Sequence, residues 1–429
     1  MLRQIEGSRA VAEAVGLCRP EVVCAYPISP QTHIIEAVGV LVKSGRLAPC
    51  KFVNVESEFA AMSVSIGASA MGARAYTATA SQGLLFMTEA VYNAAGLGLP
   101  IVMTVANRAI GAPINIWNDH SDAMSVRDAG WVQLFAETNQ DAVDLHIQAF
   151  RLAEELSLPV MVCMDGFVLT HAFERVELPD QEAVDAFLPP FEPRQVLDPD
   201  DPVSIGAMVG PEAFTEVRYL AHARQLQALA RIPELAEEFE AGFGRAAGGL
   251  VTTYRTEGAE TVVVALGSVL GTLKDAADSM WDAGVPVGVV GITTFRPFPA
   301  EAVARAVSAA RRVVVVEKAF SIGAHGILAG DVTLALSGLD IRVDAVVAGL
   351  GGRPISEASC RGLLEEAAAG SLPALSFLDL DTHLVARELE RMVAQRRSGP
   401  VAENLLRDIG SVSGSGLAVA RPGPQGGAR

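Results

Sequence analysis

Residues 51–105 read KFVNVESEFAAMSVSIGASAMGARAYTATASQGLLFMTEAVYNAAGLGLPIVMTV. Three short apolar runs, at 51–55, 75–79 and 100–105, alternate with stretches whose apolar residues recur at helical spacing, at about 58–71 and 84–95. This alternation predicts βαβ units, in which successive strands lie parallel and helices cover the sheet. Runs at 22–26, 131–135 and 159–164, with helices over 31–43 and about 142–156, extend the same sheet.

A second series of strand-like runs follows at 261–266, 285–290, 313–316 and 341–347. The segment between the two series is rich in proline and acidic residues over 174–202, which predicts an extended connector, and then helical over about 211–243. We therefore predict an α/β protein with domains at 1–175 and 251–395, joined by a connector and helical segment at 176–250. The polar, Gly/Ser-rich tail at 396–429 is typical of disorder.

The composition excludes several classes of protein. Of the 429 residues, 50% are hydrophobic, and the net charge of −17 argues against a nucleic-acid surface. No apolar stretch approaches a membrane span, and the first ten residues lack the apolar core of a signal peptide. We therefore predict a cytoplasmic protein that binds neither a membrane nor a nucleic acid. The cysteines are scattered and form no C-x-x-C pair, so we predict neither a zinc site nor an iron–sulfur cluster; they are Cys18, Cys24, Cys50, Cys163 and Cys360.

Polar residues follow four of the predicted strands at the point where each apolar run stops. They lie at 27–30, 56–58, 81–83 and 107–108, the last followed by a long irregular stretch to 122. Ligands of open parallel sheets bind beyond the carboxyl ends of the strands. The four loops therefore predict one shared site.

The same loops carry a family resemblance. The segments YPISPQT (26–32), VESEFAA (55–61), TATASQGLLFMTE (77–89) and NRAIGAPINIWNDHSDAMSVRDAGWVQL (107–134) resemble successive motifs of the pyruvate:ferredoxin oxidoreductase (2-oxoacid:acceptor oxidoreductase) alpha subunit. GPEAFTEVRY from 210, YRTEGAETVVVALGS from 254 and FRPFP at 295–299 continue it in order, so the resemblance covers roughly residues 1–390.

The resemblance implies two parallel-sheet domains that resemble the pyrimidine-binding and C-terminal domains of transketolase. It implies oxidative decarboxylation of a 2-oxoacid, with pyruvate the first candidate, to acyl-CoA and CO2. Electrons would pass to iron–sulfur clusters on partner subunits. The alternatives are a branched-chain or aryl 2-oxoacid oxidoreductase subunit, and a non-redox transketolase-like subunit.

The resemblance also implies a set of partners. Thiamine diphosphate would lie between two subunits, and the GDG motif with a following Asn, which holds the Mg-diphosphate half, is absent here; the nearest match is Gly330-Asp331-Val332. A beta subunit would therefore bind the diphosphate and Mg. Gamma and ferredoxin-like delta subunits, or fused equivalents, would carry the clusters, and ferredoxin or a related carrier would accept the electrons.

Glu58 matches the family glutamate whose carboxylate hydrogen-bonds the pyrimidine ring nitrogen, which makes it the predicted catalytic residue. The alternative is an acidic residue stabilised in the first turn of a helix. Its neighbour Glu56 is the residue with which it is most easily confused. Arg108 matches the arginine that binds the substrate carboxylate; the alternative is an ion pair with Asp119 or Asp122.

Ser29 occupies the position of a family threonine that touches substrate and cofactor, and the lost methyl group would widen the pocket. The alternative is a helix N-cap, with Pro30 at the first helical position. Pro27 and Ile28 would contact the cofactor. Ser81 and Gln82 would contact it too, or would cap a helix that starts near residue 84. His120 is predicted to order the long loop rather than to carry a proton.

Overall fold

The computed structural model describes residues 1–394, 405–406 and 409. Met1–Leu378 forms one compact unit, and a second unit begins at Asp379. The tail predicted to be disordered, 396–429, lies outside the described residues except at 405, 406 and 409.

The secondary-structure elements are numbered in chain order. The strands are β1 (Leu2–Glu6), β2 (Val22–Ala25), β3 (Lys51–Asn54), β4 (Ala75–Thr79), β5 (Ile101–Asn107), β6 (Val132–Phe135), β7 (Val160–Asp165), β8 (Phe173–Glu177), β9 (Val251–Tyr254), β10 (Thr261–Ala265), β11 (Val287–Ile292), β12 (Thr294–Arg296), β13 (Arg312–Glu317), β14 (Arg342–Val347) and β15 (Leu375–Phe377). The helices are α1 (Gly7–Leu17), α2 (Thr32–Lys43), α3 (Glu58–Ala70), α4 (Ser81–Phe86), α5 (Thr88–Gly96), α6 (Ser121–Ser125), α7 (Asn139–Leu156), α8 (Gln181–Phe187), α9 (Phe214–Phe243), α10 (Val269–Asp282), α11 (Ala300–Ala306), α12 (Ile327–Ala335), α13 (Glu357–Ala368) and α14 (Thr382–Ala394), with a 3-10 turn at Leu350–Gly352.

Within the described residues, two larger sheets lie in the first unit. The seven-stranded sheet has the order β12-β6-β7-β5-β4-β2-β3 and is parallel except for β12. The six-stranded sheet has the order β15-β14-β13-β10-β11-β9 and is parallel except for β9. The α/β class and the parallel sheets predicted from the sequence are confirmed, and the predicted strand bounds differ from the observed ones by at most two residues.

Continuous apolar runs explain the central strands. Every residue of β4, β5 and β7 is buried, as expected of parallel strands that are covered by helices on both faces. One hydrophobic cluster contains side chains from both sheets, among them Met103 of β5 and Val264 of β10. Strand β12 adds a further link, because Phe295 packs edge-on against Phe135 of β6 with ring centroids 6.0 Å apart. The domain boundaries at 175 and 250 stay a prediction.

Two local predictions differ from the structure. The single helix expected over 84–95 is divided into α4 and α5, because Met87 leaves the helical conformation at ψ 5°. The connector expected to be extended contains α8, whose N-cap Asp180 accepts a hydrogen bond from the Ala183 backbone amide at 3.0 Å. Val184 and Phe187 of α8 are buried, so the helix is stabilised by packing that the acidic, proline-rich composition did not indicate.

None of the helices in the described residues combines the length and apolarity that a membrane span requires. All cysteines are free thiols, and burial shields four of them: Cys18, Cys24, Cys163 and Cys360. Burial raises the pKa of Cys24 and of Cys50 to about 11, and raises those of Cys18 and Cys163 further.

Candidate functional site

The order of the seven-stranded sheet brings the four predicted loops to one edge. Strands β3, β2, β4 and β5 are near neighbours in this sheet, and their carboxyl ends lead into residues 55–57, 26–31, 80 and 108–120. The predicted site residues lie in these loops or in the first turn of the helix that follows. The shared site expected from the sequence is therefore geometrically possible.

Glu58 is the first residue of α3, directly after the N-cap Ser57, whose side chain accepts a hydrogen bond from the Ala60 backbone amide at 3.2 Å. Its side chain is buried, with 8% of its surface exposed. Its carboxylate makes no hydrogen bond or ion pair with any residue that the structure describes. Glu56, by contrast, is exposed. The residue is thus largely buried while its carboxylate oxygens stay open to a ligand.

Gly83 explains how the space beside Glu58 is kept open. A β-carbon at Gly83 would lie 2.5 Å from Thr79 Oγ1 and 2.8 Å from Glu58 Oε1, which is closer than real contacts allow. Thr79 Oγ1 is itself buried without a hydrogen-bond partner among the described residues. A side chain at position 83 would displace one or both of these oxygens, so glycine keeps the space beside them open.

Arg108 follows β5 and is buried, with 7% of its surface exposed. Its Nη1 donates to the Ser29 carbonyl oxygen at 2.9 Å and its Nε to the Asn115 carbonyl oxygen at 3.1 Å. Its Nη2 donates no hydrogen bond to a described residue. Burial lowers the pKa of Arg108, although Asp122 partly offsets this. The guanidinium is thus held in place by two carbonyl groups while one nitrogen stays available.

The alternative interpretation of Arg108 is not observed. Within the described residues, no ion pair joins its guanidinium to Asp119 or Asp122. The contact with Asp122 is made instead by the Arg108 backbone amide, which donates to Asp122 Oδ2 at 2.9 Å. The Asp122 carboxylate is instead occupied by other donors.

Asp122 organises the site, although sequence reasoning named it only as a possible partner of Arg108. Its side chain is fully buried and accepts from the Ser81 and Arg108 backbone amides, each at 2.9 Å, and from Asn107 Nδ2 at 2.9 Å. The Ala123 amide donates to it as well, at 2.7 Å. Burial raises the pKa of Asp122 to about 6, although these donors act in the opposite direction. The carboxylate thereby fixes the loops after β4 and β5 relative to each other.

Ser81 is not a cap for a helix near residue 84, since α4 begins at Ser81 itself and has Ala80 as its N-cap. Its backbone adopts the left-handed conformation, at φ 49°, which is unfavourable for a residue with a β-carbon. The bond from its amide to Asp122 maintains this conformation, and its hydroxyl contacts Gln82 Oε1 and the Ala109 carbonyl oxygen. Strained residues of this kind cluster at functional sites.

The loop after β2 carries the remaining predicted residues. Ser29 and Pro27 are exposed, and Ile28 is partly buried. The alternative of a helix cap at Ser29 is not observed, because α2 begins at Thr32 with Gln31 as its N-cap. Gln31 is fully buried, and its Nε2 donates to the Ala78 carbonyl oxygen at 2.6 Å. The loop is held by Gln31, which leaves Ser29 free to face a ligand.

The long loop after β5 is fastened to the six-stranded sheet. Asp119 Oδ2 accepts from the Gly351 amide at 3.0 Å, and Asn115 Nδ2 donates to the Gly351 carbonyl oxygen at 3.1 Å. The His120 amide donates to the Lys318 carbonyl oxygen at 2.9 Å. The glycine-rich turn at 349–353 thus contacts this loop.

Asp165, at the end of β7, was missed by sequence reasoning. Lys318 Nζ lies 2.9 Å from its Oδ2, His120 Nε2 lies 2.7 Å from its Oδ1, and the Ser268 amide donates to Oδ2 at 3.0 Å. Burial acts to raise the pKa of Asp165, but the charges of Lys318 and His120 hold it well below its usual range. These contacts connect both sheets behind the site and favour the prediction that His120 orders the loop.

Two solved structures share this fold. A 2-oxoglutarate:ferredoxin oxidoreductase from Magnetococcus marinus superposes with a TM-score of 0.64 at 18% identity, over 86% of this chain and 65% of that chain, so the present chain spans less than two thirds of its length. A split-gene transketolase superposes with a TM-score of 0.52 at 15% identity, over 86% of this chain and 99% of that one. The protein is thus of the α/β class that a 2-oxoacid oxidoreductase and a transketolase share.

The family model "pyruvate flavodoxin/ferredoxin oxidoreductase, thiamine diP-bdg" matches residues 13–237, and "pyruvate:ferredoxin oxidoreductase core domain II" matches residues 259–359. The chain therefore belongs to the pyruvate flavodoxin/ferredoxin oxidoreductase family, as its motifs indicated. It is an enzyme subunit of the oxidoreductase class.

The names of similar proteins agree with this family assignment. The pyruvate synthase subunit PorA of Methanosarcina barkeri is 47% identical over 89% of this chain and 97% of its own length. The PorA subunit of Thermotoga maritima is 44% identical over 86% of this chain and 95% of its own length. The ketoisovalerate oxidoreductase subunit VorA of Pyrococcus horikoshii is 38% identical over 84% of this chain and 92% of its own length.

Proposed function

We propose that this chain is the alpha, pyrimidine-side subunit of a thiamine diphosphate-dependent oxidoreductase that converts a 2-oxoacid to acyl-CoA and CO2. Pyruvate is the first candidate substrate, because relatives with 47% and 44% identity are named pyruvate synthase subunits. The observation that carries the proposal is Glu58 itself, a largely buried residue whose carboxylate has no protein partner among the described residues and lies beside Gly83 at the edge of the sheet.

The residues at this edge fit the pyrimidine half of thiamine diphosphate. Glu58 would accept a hydrogen bond from the pyrimidine ring, and Thr79 and the glycine-lined space at Gly83 provide room beside it. When bound, the cofactor supplies a carbanion that adds to 2-oxo groups. Glu58 would fix the proton on the ring nitrogen in a site from which water is excluded. Pro27, Ile28, Ser81 and Gln82 would line the same space.

Arg108 would bind the carboxylate of the substrate. Its guanidinium is already oriented by the Ser29 and Asn115 carbonyl groups, so its free Nη2 can donate to an anionic oxygen without a large loss of side-chain entropy. The Ser29 hydroxyl lies on the same loop as the carbonyl group that accepts from Arg108. Substrate orientation would thus depend on Arg108 and Ser29 together.

The proposal includes partner subunits. A beta subunit would hold the diphosphate and Mg, and gamma and ferredoxin-like delta subunits or fused equivalents would carry iron–sulfur clusters toward ferredoxin or a related acceptor. The cysteines of this chain are free thiols dispersed over the fold, which supports cluster ligation by other chains. CoA would be the acyl acceptor. The free thiols fit a reducing cytoplasm.

The test uses the complex purified without oxygen from its own cells. We expect CoA-dependent reduction of a viologen dye with pyruvate, and a decrease in turnover of at least ~100-fold in Glu58→Gln, a loss typical of a missing acid–base group. Glu56→Gln is the matched control, since Glu56 is exposed two residues away, and it should keep normal turnover. Near-normal turnover of an intact Glu58→Gln complex would disprove the catalytic assignment.

A panel of 2-oxoacids separates pyruvate from the second candidate, a branched-chain or aryl 2-oxoacid. The 38% identity to a ketoisovalerate oxidoreductase subunit and the Ser29 position favour including these acids. Activity only with a bulkier acid would support the proposed mechanism but would show that pyruvate is not the substrate. The absence of iron from the active complex would instead favour the non-redox transketolase-like alternative.

A further inference from the structure

Three side chains with metal-ligating atoms meet at a place that the proposed function does not use. They are Glu6 at the end of β1, His33 in the first turn of α2 and His171 in the turn before β8. Each offers one ligand atom, and these atoms all lie within 4.8 Å of one another. No local spacing in the sequence indicates this cluster, because tertiary structure brings together positions 6, 33 and 171.

The geometry of the cluster is close to that of a zinc site. His33 Nδ1 lies 2.6 Å from Glu6 Oε1, and the rings of His33 and His171 have centroids 4.7 Å apart. Two ligands that each lie about 2.0–2.1 Å from a tetrahedral zinc ion are about 3.4 Å from each other. A metal ion that replaces the proton between Glu6 and His33 would therefore lengthen the distance between these two ligand atoms by less than about 1 Å.

The surroundings orient the possible ligands. His171 Nδ1 lies 2.8 Å from Thr170 Oγ1, which leaves Nε2 of the same ring for a metal ion. Metal-binding histidines usually have their second nitrogen in such a hydrogen bond. Glu6 is 7% exposed, and its other oxygen lies 3.4 Å from Arg9 Nε. Because the Arg9 side chain is 69% exposed, it can turn into solvent and competes only weakly.

We propose that Glu6, His33 and His171 bind one divalent transition-metal ion of the zinc class. Two imidazoles and one carboxylate are a ligand set that suits zinc and neighbouring metals rather than magnesium or calcium, which prefer oxygen ligands. Three protein ligands leave at least one coordination position for water, and the half-exposed His33 gives the ion access from solvent. The ion would connect β1, α2 and the turn before β8.

The experiment uses the full chain without an affinity tag, stripped of metal with a chelator. Equilibrium dialysis against Zn²⁺ should give one ion per chain with a Kd of micromolar or below. His33→Ala and His171→Ala should each weaken binding at least ~10-fold, since loss even of a group that only supports a ligand typically costs about 10- to 100-fold. His222→Ala, which removes an exposed histidine on α9, is the matched control and should bind like the unchanged chain.

Co²⁺ serves as the spectroscopic probe. Its visible absorption should appear on binding, should be absent in His33→Ala, and should lack the near-ultraviolet band of thiolate ligation, because no cysteine belongs to the cluster. Melting curves without metal show whether each variant folds; if His171→Ala does not, His33→Ala decides, because its ring is 47% exposed. No binding at ~100 μM Zn²⁺, equal binding by all variants, or a thiolate band would each overturn the proposal.

Discussion

The carboxyl edges of the two parallel sheets are built from the same kinds of element and are used differently. At the edge of the seven-stranded sheet, the Glu58 carboxylate and one nitrogen of Arg108 have no protein partner among the described residues, although both residues are largely buried. At the edge of the six-stranded sheet, Lys318 and Ser268 are paired with Asp165. Glu317, beside Lys318, accepts the amides of Leu328 and Ala329 at 2.9 and 3.1 Å.

The comparison shows that topology alone does not define a site. Both edges offer strand ends followed by helix N-termini, where ligands bind in sheets of this type. At the second edge these groups are satisfied by the protein itself, so that edge supports the loops of the first. Changes at the six-stranded edge should therefore alter stability, and changes at the seven-stranded edge should alter activity.

The largest expected effect tests the supporting edge. Lys318→Met removes the lysine cation from the buried Asp165 and leaves only His120 beside it. We expect a loss of about 3–5 kcal/mol in the free energy of unfolding, measured with urea on the full chain. Lys274→Met is the control, since the Lys274–Glu137 pair is partly exposed; it should cost less than ~1 kcal/mol. Equal losses in both variants would contradict the comparison.

The same variant has a predicted pH dependence. The pKa of Asp165 in the folded protein lies well below its usual range, so its interactions stabilise the fold above the ordinary carboxyl pKa of about 3.9. This stabilisation is lost as pH falls through the lowered pKa. The difference between the original chain and Lys318→Met should therefore be largest near neutral pH and should shrink below about pH 4.

The next largest effect should be a loss of activity that leaves the stability of the fold unchanged. In Gly83→Ala the added β-carbon would displace the Glu58 carboxylate, and we expect turnover of the complex to fall by roughly 100-fold, as for a lost acid–base group. Gly67→Ala, in α3 with nothing within 4 Å, is the matched control. It should leave turnover unchanged and stabilise the helix by ~0.5–1 kcal/mol. Loss of turnover in both variants would contradict the proposal that Gly83 keeps the space beside Glu58 open.

A smaller effect should appear in Arg108→Lys. A lysine cannot donate to two carbonyl groups and a substrate carboxylate with the fixed geometry of a guanidinium. We expect the KM for the oxoacid to rise on the order of 10-fold, which corresponds to ~1.4 kcal/mol of lost binding. Steady-state kinetics over a range of oxoacid concentrations measures this, and an unchanged KM would remove Arg108 from the substrate site.

Ser29→Thr should have the smallest effect. The added methyl group narrows the space beside the Arg108 contact while the hydroxyl is kept. We expect the ratio of kcat/KM for a branched 2-oxoacid to kcat/KM for pyruvate to fall a few-fold in the variant. This change is at or below the lower end of the discrimination that one methyl group usually provides. An identical ratio in both enzymes, measured in competition, would show that Ser29 does not limit the size of the substrate.

The predicted part of the fold is the part that local pattern determines. Strands such as β4 are continuous apolar runs, and their buried positions agree with the prediction. Five strands were missed, because each depends on a partner elsewhere in the chain: β1 pairs with β8, β9 with β11, β12 with β6 and β15 with β14. Short edge strands of this kind carry no periodic signal of their own.

The candidate site likewise contains residues that the sequence could indicate and residues that only the structure reveals. Glu58 and Arg108 could be proposed because each directly follows a strand end within a recognisable motif, whereas the helix caps considered as alternatives at Ser29 and Ser81 are not observed. Asp122 and Asp165 are single acidic residues in segments with no distinctive pattern, so only tertiary contacts reveal what they do. The one available signal for Asp165 was its position at the end of an apolar run, as for Arg108.

The buried cysteines have a consequence for the handling of the protein. Oxidation and alkylation require an accessible thiolate, and burial both covers Cys18, Cys24 and Cys163 and keeps them protonated. Dioxygen should therefore find few reactive sulfur atoms on this chain. A single cysteine introduced at an exposed position should accept a maleimide label selectively, which would allow distances to partner subunits to be measured by fluorescence without first removing the native thiols.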